Sequence, residues 1–398
     1  MSFLKNIVYL HLKRVYNRKF LSSFMGKLLI VVNEDRFFLS HRKDIAVAAQ
    51  KDGWDVKIVC KDTGQRKDVE ALGLEMIELT VNPTGSNPIE ELHTFLFLLR
   101  LYKKLKPDVV HHVGLKSILW GGLAAKLVKV NGVVNAVSGL GVLFSDDGYG
   151  LTTRMATIVM RFSFSRKNVS QIFQNHEDMR LFQDLGIARK EQCEFIKGSG
   201  VNLKDYAFTP EPVKEPVKII LAARMVREKG IATLIKAAEI LREEMAGRVV
   251  FLLCGGLSNN PKGIKEHELR EWCDGQYIQW LGYRSDMKEL LMQSHIVVLP
   301  SYYREGVPKS LIEATAIGRP IVTTRSYGCK DTVDDGENGF LIPPKDENAL
   351  AEKLRILIND KHLRAQMGAK GREKAEKEFS IGNVIARHLE IYRKLSTP

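Results

Sequence analysis

Short apolar runs alternate with helical stretches twice along this chain, and a proline-dense segment separates the two series. These observations predict an α/β fold of two Rossmann-like halves, each a parallel sheet covered by helices on both faces. In the first series the strand-like runs are 28–32, 56–60, 109–113, 133–137 and 169–174, with helical stretches at 40–51, 89–105, 116–129 and 152–164. The runs are short and mostly apolar, as expected of strands buried on both faces. Three prolines fall within Phe208-Thr209-Pro210-Glu211-Pro212-Val213-Lys214-Glu215-Pro216, which reads as a linker. The second series has strands at 217–222, 249–254, 277–280, 296–299 and 320–324, and helices at 230–244, 267–274, 287–293 and 309–316. A charged helical tail runs from 348 to 394. The expected organisation is a basic extension over 1–25, a first half over 26–207, a linker over 208–217, a second half over 218–378, and a C-terminal helix over 379–398.

A chain of 398 residues, 44% apolar, holds more than one core. Its net charge of +13 suits an anionic partner. No zinc-finger spacing, RNA-binding signature or basic tract points to nucleic acid. Five scattered cysteines without a C-x-x-C read as reduced thiols of a cytoplasmic protein. No run is long and apolar enough to span a bilayer. Residues 1–24 carry Lys5, Lys13, Arg14, Arg18 and Lys19 and no acid. They read either as a basic amphipathic helix for a membrane surface or as a leader before a natural beginning at Met25.

Open parallel sheets bind ligands beyond the carboxyl ends of their strands. The segment after run 296–299 is Arg304-Glu305-Gly306-Val307-Pro308-Lys309-Ser310-Leu311-Ile312-Glu313. The turn at Gly306–Pro308 puts Glu305 on a loop at a helix mouth and Glu313 within the helix. Alone, two carboxylates eight positions apart describe a capped helix with solvated acids. After the first strand of the same half, however, comes Arg224-Met225-Val226-Arg227-Glu228-Lys229-Gly230. A guanidinium and an ammonium at a strand end, with helix-end amides nearby, are what a diphosphate requires.

The order and spacing of Arg224…Lys229-Gly230, Glu305…Glu313 and Gly328…Asp335-Gly336…Asn338-Gly339-Phe340-Leu341-Ile342-Pro343-Pro344 resemble retaining glycosyltransferase family 4. So do Phe38-Leu39-Ser40-His41-Arg42, Ser138-Gly139-Leu140-Gly141, Phe173-Gln174-Asn175 and Lys197-Gly198-Ser199-Gly200-Val201-Asn202. The resemblance covers residues 26 to about 395 and is nearest to bacterial enzymes of surface polysaccharide and lipid-linked oligosaccharide synthesis. It implies the GT-B fold, with two Rossmann-like domains facing across a cleft, the first binding acceptor and the second nucleotide sugar. The C-terminal helix would cross back to the first domain.

The resemblance also implies roles. Arg224 and Lys229 would neutralise the donor diphosphate, with no metal and no cofactor. Glu305 would contact the donor sugar and Glu313 the ribose. Gly306, Val307, Lys309 and Ser310 would contribute donor contacts at a helix N-terminus. Attack would be front-face through an oxocarbenium-like state, so the glutamates are not the acid and nucleophile of glycoside hydrolysis. His41, His111, His112, Lys116, Gly139, Gly141 and Asn175 are candidate acceptor or cleft residues. Family members often carry a histidine where this chain has Val113. His111 and His112 therefore read equally as strand-end histidines satisfied by their neighbours.

The implied reaction takes a sugar, an N-acetylhexosamine or hexose, from a UDP-sugar to a lipid-linked, polyprenyl diphosphate acceptor at the inner face of a membrane. A nucleotide-sugar epimerase on the same fold and a non-catalytic assembly partner are the rivals. Arg154, Arg161, Arg166 and Lys167, beside Met155, Ile158, Val159, Met160 and Phe162, read as a membrane-facing surface or as a half-buried helix with a solvated basic face.

Overall fold

The computed structural model describes residues 25–79, 87–140, 144, 150–213, 215–258, 263–302 and 304–396. Residues 1–24 and Gly141 lie outside the described residues. The chain divides into two compact units, one of 1–136, 162–170 and 388–398, the other of 137–161 and 171–387.

The first sheet has seven strands: β1 (Gly26–Glu34), β2 (Trp54–Lys61), β3 (Glu75–Glu78), β4 (Val109–Val113), β5 (Gly132–Val137), β6 (Val169–Phe173) and β7 (Cys193–Phe195). Their order is β3-β2-β1-β4-β5-β6-β7. β1 pairs in parallel with both β2 and β4. Leu28 to Val32 of β1 are at most 1% exposed, because helices cover both faces of a parallel sheet. The helix Pro88–Leu105 begins with an Asn87 side chain accepting from the Ile89 amide and proline in its first turn. In the same unit Tyr392, near the C-terminus, is fully buried and hydrogen-bonded to His111 Nδ1 at 2.7 Å. The last residues of the chain thus belong to the first unit, as expected of the C-terminal helix.

The second sheet comprises β8 (Val217–Ala222), β9 (Val249–Cys254), β10 (Ile278–Trp280), β11 (Ile296–Leu299), β12 (Ile321–Thr324) and β13 (Gly339–Ile342). The order is β10-β9-β8-β11-β12-β13. Its core joins Phe251 and Leu253 of β9 to Leu234 and Leu241 of the helix Ile231–Met245 and Leu354 of the helix Glu347–Asn359. Asp346 and Asp360 cap the helices Glu347–Asn359 and Lys361–Glu378 by accepting from the amides of Ala349 and Leu363. The strand order reverses between β8 and β11, so the loops after these strands flank the switch point of the sheet.

Two differences from expectation have local causes. The helix expected over 40–51 is two helices, Asp35–His41 and Lys43–Lys51, broken at Arg42, whose φ is −129°. The short strands β3, β7 and β13 were not expected: Glu-Met-Ile-Glu and Cys-Glu-Phe carry no apolar run, and Gly-Phe-Leu-Ile is only four residues long. Among the described residues no helix is long and apolar enough to cross a membrane.

Candidate active site

The site grows from the two loops at the switch point of the second sheet. After β8 the chain forms a short 3-10 turn, Arg227–Lys229, and ends it at Gly230 with φ +76°. A Cβ on Gly230 would lie 2.0 Å from the Pro300 carbonyl oxygen, so only glycine lets this loop press against the one after β11. That approach brings Lys229 Nζ into an ion pair with the Glu305 carboxylate. The side chains are 15% and 11% exposed. Ser301 Oγ donates to the other carboxylate oxygen of Glu305 at 2.6 Å. Glu305 is thus oriented by a cation and a hydroxyl in a largely desolvated setting, where charge-assisted hydrogen bonds are strong. Arg224 is exposed on the first loop, and among the described residues no ion pair holds it.

The backbone of the Glu305 loop is fixed residue by residue. Gly306 N–H donates to the Ser138 carbonyl at 3.2 Å, and Val307 N–H to Gln174 Oε1 at 2.9 Å. Asn175 Nδ2 donates to the Glu305 carbonyl at 3.3 Å, while Asn175 Oδ1 accepts from the Asp178 amide at 2.7 Å and caps the helix His176–Asp184. Asp178, 1% exposed, accepts from Arg304 Nε at 3.0 Å. The Arg304 guanidinium lies 4.9 Å from the Tyr327 ring centroid, a cation–π distance. A Cβ on Gly306 would stand 2.1 Å from Gln174 Oε1. The loop is therefore a fixed platform.

Beyond it the helix Lys309–Ile317 starts after Pro308 and ends at Gly318. Lys309 Nζ donates to the Gly200 carbonyl at 2.5 Å. Glu313 is half-buried within this helix. Burial pushes its carboxyl above the usual carboxylate range, against the opposing pull of Lys309 and a hydrogen bond from the Tyr206 hydroxyl. Val307 is buried and packs with Ile312 and Val201. Ser310 is half-buried in the first turn of the same helix.

The sequence-predicted residues Arg224, Lys229, Glu305, Gly306, Val307, Lys309, Ser310, Glu313, Gly139 and Asn175 all belong to the second unit. A Cβ on Gly139 would lie 2.7 Å from the Gly306 amide, so Gly139 is a close-approach glycine against the Glu305 loop. His41, His111, His112 and Lys116 belong to the first unit. The His41 ring stacks on Phe37 with Nδ1 2.7 Å from Ser40 Oγ, and Lys116 pairs with Glu91 at 2.5 Å.

His111 and His112 differ from the cleft reading. Both are fully buried. His112 is held by the Tyr102 hydroxyl at 2.9 Å and Asn135 Oδ1 at 2.8 Å. Burial lowers its pKa to about 4 and drives that of His111 well below the ordinary value, so both rings are neutral core groups. Sequence reasoning missed Ser301, Arg304, Asp178, Gln174 and Tyr206 as site residues. The Asn175-x-x-Asp178 cap was readable. The Arg304–Asp178 pair, 126 positions apart, leaves no local signal.

Two family models match the chain. The one described as glycosyl transferases group 1 matches residues 204–374, and the one described as glycosyl transferase 4-like matches residues 27–174. The chain is 28% identical to the N,N'-diacetylbacillosaminyl-diphospho-undecaprenol alpha-1,3-N-acetylgalactosaminyltransferase of Campylobacter jejuni, over 88% of this chain and 94% of that protein. It is 24% identical to the UDP-Gal:alpha-D-GlcNAc-diphosphoundecaprenol alpha-1,3-galactosyltransferase of Escherichia coli, over 85% and 89%. Among solved structures, Anabaena Alr3699/HepE in complex with UDP superposes with a TM-score of 0.72 at 17% identity, over 93% of this chain and 100% of that one. At that identity the likeness shows the fold, which is GT-B.

Proposed function

The chain belongs to the group 1, family 4-like glycosyltransferases, and we propose that it moves an N-acetylhexosamine or hexose from a UDP-sugar to a lipid-linked saccharide diphosphate, with retention. The observation that carries the reading is the Lys229–Glu305–Ser301 cluster at the sheet switch point, with Arg224 exposed on the adjoining loop. The two curated relatives act, by their names, on undecaprenyl diphosphate-linked sugars, which supports the acceptor class. UDP in the Anabaena structure supports the donor nucleotide. A lipid acceptor would place the enzyme at a membrane surface, on the cytoplasmic side.

The residues divide the work by charge. Arg224 and Lys229 bind the diphosphate and stabilise the negative charge that grows on it as the glycosidic bond breaks, the main catalytic term here. These two side chains take the place of a metal. The pair with Glu305 holds the Lys229 ammonium desolvated and aimed for the diphosphate. The Glu305 carboxylate takes a hydrogen bond from a donor-sugar hydroxyl beside the anomeric carbon and stabilises the oxocarbenium-like state. The amides at Lys309 and Ser310 face donor oxygens at the positive end of their helix. Glu313 takes the ribose hydroxyls in place of Tyr206.

The test is a screen of nucleotide sugars with polyprenyl diphosphate saccharide acceptors, read by mass spectrometry for the added sugar. Transfer by the native chain and its loss in Glu305→Ala and Lys229→Ala are expected. Near-normal turnover in both variants would sink the site. Epimerised nucleotide sugar formed without acceptor would sink the transferase reading.

A further inference from the structure

We infer that the helix Leu151–Phe164 is the element that lies on an anionic lipid surface. The choice of a lipid partner rests on the lipid-linked acceptor proposed above; the observations on the helix do not. Its large apolar side chains point outward. Leu151, Met155 and Ile158 are 78%, 56% and 59% exposed. Phe162, 51% exposed, continues their spacing into the last turn. Positions 151, 155, 158 and 162 repeat at the helical period and form one stripe. The inward face is mixed by contrast: Thr153, Ala156, Thr157 and Ser163 are at most 7% exposed, with Met160 and Phe164 the large apolar residues among them. The Thr157 hydroxyl is satisfied by donating to the Thr153 carbonyl at 2.8 Å.

Met160 and Phe164 already seat the helix on its own unit, and a helix that served only that purpose would not also expose four large apolar side chains. Leu151, Met155, Ile158 and Phe162 each leave more than half of their surface exposed in the folded chain, and a partner would bury it.

The charges on the helix identify the partner. Arg154 and Arg161 are exposed and stand one position before Met155 and Phe162, on the edge of the stripe. Arg161 Nε also donates to the Leu185 carbonyl, which anchors its stem beside the stripe. Lys167 follows, also exposed. No Asp or Glu occurs from Gly148 through His176. Charge of one sign flanking an apolar stripe matches an anionic bilayer surface, where acyl chains take the stripe and headgroup phosphates take the guanidinium groups. At about 1.5 Å per residue the helix lies some 20 Å along that surface, too short to span it.

The experiment is vesicle flotation of the full chain, with equal parts phosphatidylglycerol and phosphatidylcholine in one arm and phosphatidylcholine alone in the other. The native protein is expected to float with the anionic vesicles in a salt-dependent manner. Ile158→Glu is expected to weaken that binding by about tenfold or more, and the double variant Arg154→Gln/Arg161→Gln to weaken it several-fold and flatten its salt dependence. Both variants should melt like the native chain and keep transfer to a short-chain, water-soluble diphosphate acceptor. Undiminished flotation of a folded Ile158→Glu protein would overturn the inference. So would a dimer that Ile158→Glu converts to monomer while flotation stays unchanged, since the stripe would then face a second copy. Failure of transfer to every polyprenyl diphosphate, with helix-dependent flotation intact, would refute the acceptor reading and leave this one standing.

Discussion

The ends of β4 and β11 occupy the same topological position, each beside the point where its sheet reverses strand order, yet their chemistry is opposite. At β4 the polar side chains His111 and His112 turn into the core and are closed off by Tyr392, Tyr102 and Asn135. At β11 the chain leaves the sheet as a loop held by Ser138, Gln174, Asn175 and Asp178, and that loop presents a carboxylate paired to Lys229. Strand-end position nominates both regions. The kind of partner separates them: neutral hydroxyl, amide and aromatic groups enclose the histidines, whereas a largely desolvated ion pair beside an exposed arginine is poised for an anion.

The largest effect should come at the β11 end. Glu305→Ala and Lys229→Ala are expected to lower turnover by about 10³ or more. Lys229→Ala leaves Glu305 with Ser301 alone and should also cost on the order of 1–3 kcal/mol of stability. Equal losses in kcat and thermal stability that track each other would reduce the pair to a structural bridge. Arg224→Ala should lower kcat/KM by roughly 10² with no change in melting, because its side chain is exposed and forms no ion pair among the described residues. Glu313→Gln should raise the donor KM by about tenfold while sparing kcat, as expected of ribose binding that is equal in ground and transition states.

The most gradual effect belongs to the β4 end. The folded pKa of His112 lies near 4 against 6.5 for a free histidine, and that of His111 is depressed as well. Groups depressed in this way contribute stability that is complete above about pH 6.5 and lost as pH falls towards 4. The slope should approach about 1.4 kcal/mol per pH unit for each histidine. Urea unfolding between pH 7 and 4.5 measures it. His112→Asn should flatten the acid limb even if it lowers stability overall. An unchanged limb would mean that the ring is charged in the fold, and the contrast between the two strand ends would fail.

Much of this contrast was legible in the sequence. The short, mostly apolar runs marked β4, β8, β9 and β11 with their bounds, because strands buried on both faces are rich in Val, Ile and Leu. The Glu305 loop and the Glu313 helix were readable from Gly306 and Pro308, which punctuate the chain where it turns. The unread parts depend on distance along the chain. Arg304 and Asp178 are ordinary surface residues by composition, and only the fold turns them into a buried pair. The histidines of β4 were open to both readings because a local sequence cannot show that Tyr392, 281 positions away, fills the space beside one of them. The outward stripe of the helix Leu151–Phe164 was ambiguous for the same reason. Periodicity fixes an apolar face, and the sheet decides which face turns inward.

The central claim is transfer with retention that depends on the Lys229–Glu305 pair. NMR of the product formed from an α-linked nucleotide sugar and a polyprenyl diphosphate saccharide tests it most directly. The account predicts an α-anomeric coupling in the new linkage, formed by the native chain and absent with Glu305→Ala. A β-linked product, or an α-linked one formed as fast by Glu305→Ala, would contradict it.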